Sequence, residues 1–555
     1  EALEGRPLQG SVGVGHTRWA THGRPSEENA HPHVAGGVAV VHNGIIENHS
    51  ELRHELQAAG VGFASDTDSE IFAHLIDRAL QNGAANLREA THTALRRVEG
   101  AYAIAVVYQG DEQQIVAARH GSPLVIGVGE DEMLCGSDIP ALLAHTRRMI
   151  FLEDGDIVEL RADGFTIGNL VGEAVERPIK QIDWSPVMAE RGGYKHFMLK
   201  EIHEQPEAIA QTLRGRVDLE NGDIYETEIG IEAAVAQKVR RVFLVACGTS
   251  FHATLIGRYW IESLAKLPAV CELGSEAANR ETIFFEDDLV IAVSQSGETF
   301  DTIGAVKRAK AAGATVLAIA NVLDSAIPRM SHGALYTRAG PEIGVASTKC
   351  FTAQLAALLL VAVYLGRRRD TLAAEPAGKV LQGLMTVPVH MNDLLGDKDY
   401  VRGVAMQMAH ATDVLFLGRG YQFPIALEGA LKLKEISYAH AEGYAAGEMK
   451  HGPIALIDEE LPVVVICPRD DSYEKTLSSA QEVRARDGQV IAIATKGDEA
   501  IHDISHHILW MPEADALVLP LLTVVPLQLL AYYVATKKGH DVDQPRNLAK
   551  TVTVE

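Results

Sequence analysis

LVIAVSQSGETFDT, residues 289–302, passes from an apolar run straight into small hydroxyl, amide and glycine residues. An unbroken apolar run reads as a buried strand of a parallel sheet. The next residues, FDTIGAVKRAKAAG (300–313), have helical spacing, with Ile303, Val306 and Ala309 along one face. Ser294, Gln295, Ser296, Gly297 and Thr299 therefore lie between a strand end and a helix start. Ligands gather there in an open parallel sheet, because a helix start presents unpaired N–H groups and the positive end of its dipole. The hydroxyls of Ser294, Ser296 and Thr299, beside a backbone that Gly297 allows to come close, form a phosphate cradle without a lysine. A capping turn accounts for the same residues equally well, since Ser and Thr are common N-caps.

Working outward, residues from 233 onward alternate apolar strands with longer helical segments, the pattern of βαβ units. The pattern occurs twice. VRRVFLVACGTS (239–250) parallels ATDVLFLGRG (411–420), DDLVIAVSQSGE (287–298) parallels ELPVVVICPRDD (460–471), and ATVLAIANV (314–322) parallels GQVIAIATK (488–496). Three matches in one order predict a duplicated α/β domain over 233–372 and 405–546, joined by a helical connector at 373–404. The first copy has two more hydroxyl-rich loops, Cys247-Gly248-Thr249-Ser250 and Gly344-Val345-Ala346-Ser347-Thr348-Lys349. Three such loops from one sheet favour phosphate binding over three unrelated caps. With neither GxGxxG nor a Walker pattern, the expected ligand is a small phosphorylated metabolite and not a nucleotide.

The second copy has lost this chemistry, since its strand ends read LGRG and CPRD. Its helical stretch LEGALKLKEISY places Glu428, Lys432 and Glu435 at i, i+4 and i+7, on one face. Such spacing usually means a solvated ladder, but the surrounding leucines and alanines leave little exposed helix, so the stripe must face a partner, a cleft or water. His451 stands in a Gly/Pro-rich loop, where a lone histidine is more often structural. The end of the sequence, DVDQPRNLAKTVTVE, is expected to dock through Pro545 and the alternating Val552 and Val554. A docked Lys550 would be partly desolvated, a setting for a Schiff-base nucleophile, although by itself a surface lysine is the better reading.

Residues 1–163 hold short apolar strands at 38–42, 102–108 and 124–129 and helical patterns at 51–60 and 70–80, an α+β arrangement of stacked sheets with helices outside. Residues 164–232 read as a connector with a helix near 195–213. The 555 residues are 47% hydrophobic and 22% charged, enough for about three domains. A formal charge of −24 opposes nucleic-acid or anionic-membrane partners, which need a basic surface. Five scattered cysteines without a CxxC pair predict reduced thiols, and EALEGRPLQG at the start has no apolar h-region, so a soluble cytoplasmic protein is expected. The long apolar stretches 350–365 and 516–535 are expected to be buried helices, the second because it carries Pro520, Pro526 and Gln528.

HTRWATHG (16–23), HNGIIEN (42–48), GSPLVIG (121–127), CGTS, SQSGET, GVASTK, LEGALKLKEISY, KHGP and DQPRNLAKTVTVE occur in this order. In this combination the chain closely resembles the glutamine–fructose-6-phosphate aminotransferases (isomerising), the glucosamine-6-phosphate synthases, from about residue 10 to Glu555. The resemblance implies a class II glutamine amidotransferase domain of the N-terminal-nucleophile type at 1–163, then two sugar isomerase (SIS) domains, with the tail 547–555 closing the isomerase site. It implies that Thr249, Ser250, Ser294, Gln295, Ser296 and Thr299 hold the sugar phosphate and that Ser347 and the Val345 backbone contact the sugar. Lys550 would form the imine at C2 of fructose 6-phosphate, Glu435 would move a proton between C1 and C2 with Lys432 beside it, and His451, from the neighbouring subunit of a homodimer, would assist ring opening. In the N-terminal domain Arg18 would bind the glutamine α-carboxylate and Asp68 the α-amino group, with Thr21 and His22 nearby. Asn43 and Gly44 would form the oxyanion hole and Trp19 would gate an ammonia channel. HNG alone reads as a hairpin turn, since Asn-Gly is a strong turn signal. No metal or organic cofactor is expected; HPH (31–33) lacks zinc spacing.

The family's glutaminase nucleophile is an N-terminal cysteine. This sequence begins at Glu1, and its first cysteine, Cys135, matches no nucleophile. As written, the chain is expected not to hydrolyse glutamine, while its isomerase half is expected to be complete; the function expected here is that of the intact protein. Three other classes compete. A stand-alone SIS isomerase or deglycase would lack the Arg18, Asn43–Gly44 and Asp68 set. A non-catalytic sugar-phosphate sensor would not need Glu435, His451 and Lys550 together. A phosphoribosyl-diphosphate amidotransferase would need an acidic loop that is not found.

Overall fold

The computed structural model describes residues 10–17, 24, 26–182, 190–396 and 398–552. They fall into two compact units, one within residues 1–189 together with 551–555 and the other within 190–550.

The first unit is a two-sheet sandwich. A six-stranded antiparallel sheet runs in the order His33–Ala35, Val38–Ile46, Gly100–Tyr108, Asp111–His120, Asp156–Arg161, Gly164–Asn169. A four-stranded sheet runs Lys180–Gln181, Arg148–Phe151, Val125–Val128, Met133–Gly136. Strand alternation assigns the faces. Val41, Ala103, Ala105 and Val158 pack with Ile126 and Ile150 of the second sheet. Val40, Ile104, Val106 and Val116 pack outward against Ile71, Leu75, Leu87 and Ala90, which belong to the helices Glu70–Gln81 and Leu87–Leu95. The sheets extend past residue 163 to take in the strands at 164–169 and 180–181.

HNG is not a hairpin turn. His42, Asn43 and Gly44 lie inside Val38–Ile46, paired with Ile104, Ala103 and Tyr102. Gly44 has φ +150°, and a Cβ there would stand 2.0 Å from the Ala101 carbonyl oxygen. The glycine is demanded by close strand approach, not by a turn.

The second unit contains two parallel five-stranded sheets of identical topology. One runs Ala269–Leu273, Arg241–Ala246, Asp288–Ser294, Thr315–Ala320, Gly333–Tyr336; the other runs His440–Ala445, Asp413–Gly418, Pro462–Cys467, Gln489–Thr495, His507–Met511. The duplication read from the strand sequences is thus real, and its three aligned strand pairs occupy matching places. One face of each sheet joins a shared core: Leu244, Ile291 and Leu317 from the first, Phe416, Val464 and Ile491 from the second. The other faces are covered separately, Val290 and Val316 by the helix Phe300–Ala311, Val463 and Val490 by the helix Tyr473–Arg484. Both faces of each sheet are therefore dry, which explains the unbroken apolar strands.

The two membrane-length helices, Lys349–Arg368 and Leu519–Lys537, lie in the shared core, 100% and 89% buried over their most apolar windows. Pro526 sits inside the second, whose buried Gln528 donates to the Thr348 carbonyl. The helical pattern at 195–213 forms two helices, Phe197–His203 and Gln205–Leu213. Pro206 in the first turn of the second accounts for the break, because it has no N–H to give the Ile202 carbonyl, which instead accepts from Gln205 Nε2 at 2.9 Å.

Candidate active site

The loop after Asp288–Ser294 folds on its own hydroxyls. Ser294 Oγ and Thr299 Oγ1 are 2.9 Å apart, Ser294 Oγ accepts from the Gly297 N–H at 2.9 Å, and Ser296 Oγ accepts from Glu298 N at 3.1 Å. The Gln295 carbonyl accepts from Asn321 N. Gly297 has φ +67°, and a Cβ there would come 1.9 Å from Ser325 Oγ. Thr299 holds the N-cap position of Phe300–Ala311 but makes no side-chain capping bond. Thr299 itself does not cap the helix, since its hydroxyl is turned to Ser294, while Ser294 and Ser296 accept from N–H groups of the turn before it.

The helix Gly248–Trp260 begins in the same way after Cys247, without a side-chain cap. Cys247 Sγ lies 3.7 Å from Thr302 Oγ1 in the neighbouring helix, so the two open helix starts are adjacent. The third helix start is different. Lys349–Arg368 is already supplied with an anion, because Glu342 accepts from Thr348 N at 2.9 Å and Cys350 N at 3.0 Å. Ser347 is half-buried in this loop, and Val345 N donates to the Asp543 carbonyl at 3.0 Å.

The charged stripe faces the first repeat. Glu428 and Lys432 are completely buried, while the side chain of Glu435 is 19% exposed. Lys432 Nζ lies 2.6 Å from Glu435 Oε2 and 3.4 Å from Glu428 Oε1. It donates to Thr249 Oγ1 at 3.0 Å, and that hydroxyl donates to Glu428 Oε1 at 3.0 Å. His252 Nδ1 completes the chain at 2.7 Å from Glu428 Oε2. Ser250 Oγ accepts from Gln354 Nε2 at 3.0 Å, tying the CGTS loop to the helix after GVAST. Burial raises the Glu435 pKa although Lys432 opposes the rise. Burial would lower that of Lys432, but Glu435 and Glu428 raise it. A lysine kept charged beside a carboxyl moved toward neutrality is an acid–base arrangement.

Lys550 reaches the same region. Its Nζ donates to Glu342 Oε2 and, at 2.8 Å, to the Gly344 carbonyl, and its charge is felt at Glu435. The tail docks, and Pro545 is buried in it. Asp543 accepts from Phe197 N and Met198 N, both at 2.9 Å, Arg546 N donates to Tyr438 Oη at 2.9 Å, and the Arg546 guanidinium lies 4.2 Å from the Tyr438 ring centre. Val552 is 43% exposed, and Val554 lies outside the described residues. Polar anchors before Lys550 hold this segment.

Sequence reasoning missed two acids, Glu342 and Glu201. Glu201, 2% exposed, accepts from Ile343 N and Gly344 N. Burial and the neighbouring Glu342 raise its pKa to about 8, whereas Lys550 and the two backbone donors overcome burial to bring Glu342 down to about 2. A signal for Glu201 was available, since it shares a helical face with Met198, Ile202 and Gln205. Glu342 had none. His451 is exposed on a single turn of 3₁₀ helix, Glu448–His451, within this chain.

In the first unit, the Asp68 carboxylate accepts from Ile46 N at 2.9 Å, joining it to the strand that carries Asn43 and Gly44. His42 Nδ1 lies 2.8 Å from Ser69 Oγ, and burial lowers the His42 pKa to about 4. Arg18, Trp19, Thr21 and His22 lie outside the described residues.

A model of the glutamine amidotransferase domain matches residues 16–144, and one of the SIS domain matches 237–364 and 407–538. The glutamine–fructose-6-phosphate aminotransferase [isomerizing] of Chlorobaculum tepidum is 50% identical over 551 residues, covering 99% of this chain and 90% of that one. The chain belongs to the glutamine–fructose-6-phosphate aminotransferase (isomerizing) family. The Thermus thermophilus aminotransferase is also 50% identical, over 557 residues, covering 100% of this chain and 91% of the relative. The C-terminal domain of the aminotransferase of Francisella tularensis superposes with a TM-score of 0.61 at 38% identity, covering 64% of this chain and all of that structure. Membership in the aminotransferase family thus spans the amidotransferase sandwich and both SIS repeats.

Proposed function

We propose that this chain carries the amidotransfer chemistry of its family, converting D-fructose 6-phosphate and L-glutamine to D-glucosamine 6-phosphate and L-glutamate. One observation supports it above the rest: two adjacent uncapped helix starts with hydroxyl loops share a site with a buried acid–base stripe and a docked lysine. The sugar phosphate would sit on the helix starts at Gly248 and Phe300, among Thr249, Ser250, Ser294, Gln295, Ser296 and Thr299, with Val345 and Ser347 along the sugar.

Lys550 Nζ would attack the C2 carbonyl and water would leave, giving an imine that makes the C1 proton acidic. Glu435 would take that proton and return it at C2, with Lys432 holding the carboxylate in place. Before that proton moves, ammonia from glutamine would add to C2 of the imine and expel Lys550 Nζ, so that the proton shift from C1 to C2 leaves the amine on C2 and the aldehyde at C1. The donor half would use Arg18, Thr21, His22 and Asp68 for glutamine, Asn43 and Gly44 for the oxyanion, and Trp19 as the channel gate. His451 would act from the neighbouring subunit of a homodimer, in keeping with its exposure on the isolated chain. A cytoplasmic setting agrees with five free cysteines.

The sugar half can be tested without glutamine. Fructose 6-phosphate added to this chain, followed by borohydride, is expected to leave a hexose-phosphate adduct on Lys550, located by mass analysis. Lys550→Ala should abolish the adduct and, with an ammonium salt supplied in place of glutamine, the formation of glucosamine 6-phosphate. Glucosamine 6-phosphate formation from ammonium at the wild-type rate in Lys550→Ala would exclude this mechanism.

A further inference from the structure

The helices Gly248–Trp260 and Gln422–Ser437 follow the first strand of their respective sheets and pack antiparallel. Thr249 and His252, at the start of one, meet Glu428. At its other end, the Tyr259 ring lies 5.9 Å and the Trp260 ring 6.3 Å from Tyr421, at the start of the second helix. The candidate active site is thus the start of one helix facing the stripe on its partner. The same relation exists a second time, in reverse, at the start of Gln422–Ser437.

A cavity of about 360 Å³ lies there, lined by Tyr259, Arg419, Gly420, Glu448, Ser472 and Lys475, among others. Its walls come from the loops after Asp413–Gly418, His440–Ala445 and Pro462–Cys467, so it stands outside the carboxyl ends of the strands where the sheet order reverses, as a ligand site should. The helices Gln422–Ser437 and Tyr473–Arg484 both start at this cavity; Gln422 N and Phe423 N donate to the Arg419 and Gly420 carbonyls, and the Asp470 carboxylate accepts from Ser472 N at 2.8 Å. Arg419 lies against Gly447, where a Cβ would stand 3.0 Å from its Nη1. Its Nε is buried with no hydrogen-bond partner among the described residues. Arg419 and Lys475 place two cations on one wall of this cavity, a setting for an oxyanion. Glu448 and Asp471, both exposed, give the rest of the lining acceptors for hydroxyl or ammonium groups.

We propose that the second repeat keeps a ligand site of its own, which binds a phosphorylated monosaccharide with its phosphate on Arg419 and Lys475. The volume suits a hexose phosphate. The inference stands on the repeat geometry and the cavity lining, and does not depend on the reaction assigned to the first repeat.

Calorimetric titration of the whole chain with glucosamine 6-phosphate, and separately with inorganic phosphate, tests it. Two sites per chain are expected. Ser294→Ala/Thr299→Ala should leave the second, and Arg419→Gln should weaken that one at least tenfold while leaving the other unchanged. Lys475 is exposed, so Lys475→Gln, which should weaken the same site, supplies the answer if Arg419→Gln fails to fold. A wild type with one site per chain that Ser294→Ala/Thr299→Ala abolishes, or affinities unaltered in Lys475→Gln, would overturn the proposal. Failure of the catalytic reading is scored separately, by the absence of the Lys550 adduct.

Discussion

Glu201 and Glu342 are buried carboxyls that share one neighbourhood with Lys550, and they must differ in protonation. Glu342 has the lysine and two backbone donors, and it stays ionised. Glu201 has Ile343 N and Gly344 N but no ion pair, and its pKa stands at about 8 against an ordinary 4.5. A carboxyl whose folded pKa is raised gives stability that is complete below the unfolded value and is lost as pH rises to the folded one. The loss therefore falls between pH 4.5 and about 8. Glu201→Gln keeps an acceptor for one N–H and cannot ionise, so it should remove that part of the slope. Urea unfolding from pH 5 to pH 9 should show wild-type stability falling with pH more steeply than that of Glu201→Gln. Parallel curves would mean that Glu201 is already charged in the native state. For Glu342, held at about 2, the sign is reversed: its contribution is lost only as pH falls below the unfolded carboxylate range.

The helix Gln422–Ser437 shows how an element can be legible while its purpose is not. The spacing of Glu428, Lys432 and Glu435 put them on one face, and the apolar residues around them left no room for a solvated ladder. What covers that face could not be read, because Thr249 and His252 lie about 180 residues away in the chain, and only the antiparallel packing of the two helices joins them. The SQSGET loop was legible for a related reason: a strand end, a glycine and a helix start are all local. Glu342 was not, since one acid within GPEIGV carries no period, and its importance comes from Lys550, far along the chain. HNG misled because Asn-Gly serves turns and tight strand contacts alike, and only the Ala101 carbonyl distinguishes them. The buried stripe itself makes a firm prediction. Removing the cation from between two carboxylates leaves them buried and uncompensated, so Lys432→Met should cost about 3–5 kcal/mol in denaturant unfolding. Glu428→Gln keeps the hydrogen bonds to Thr249 and His252 and should cost much less. Equal losses for the two would show that volume and not charge governs this face.

At the scale of the whole molecule, a duplicated α/β domain divides its labour by letting each copy supply what the other lacks. The first repeat offers open helix starts and hydroxyl loops, while the second offers a helix with acid, cation and acid in line. Neither repeat alone holds both sets, which is why the strand ends of the second could change to LGRG and CPRD without loss of the first site. The same division would extend across two chains if His451 serves a neighbour. Two inactive variants, His451→Ala and Lys550→Ala, should then rescue one another. In a mixed dimer, the subunit that keeps Lys550 receives His451 from the subunit that keeps the histidine, so one of the two sites is complete. Random reassociation of equal amounts should restore about a quarter of wild-type activity, since half of the dimers are mixed and each has one intact site. A histidine acting on its own subunit would give no rescue at all, because every site would lack either the histidine or the lysine. Unmixed variants taken through the same denaturation and refolding cycle set the baseline, so the activity that appears only on mixing measures residues shared between chains.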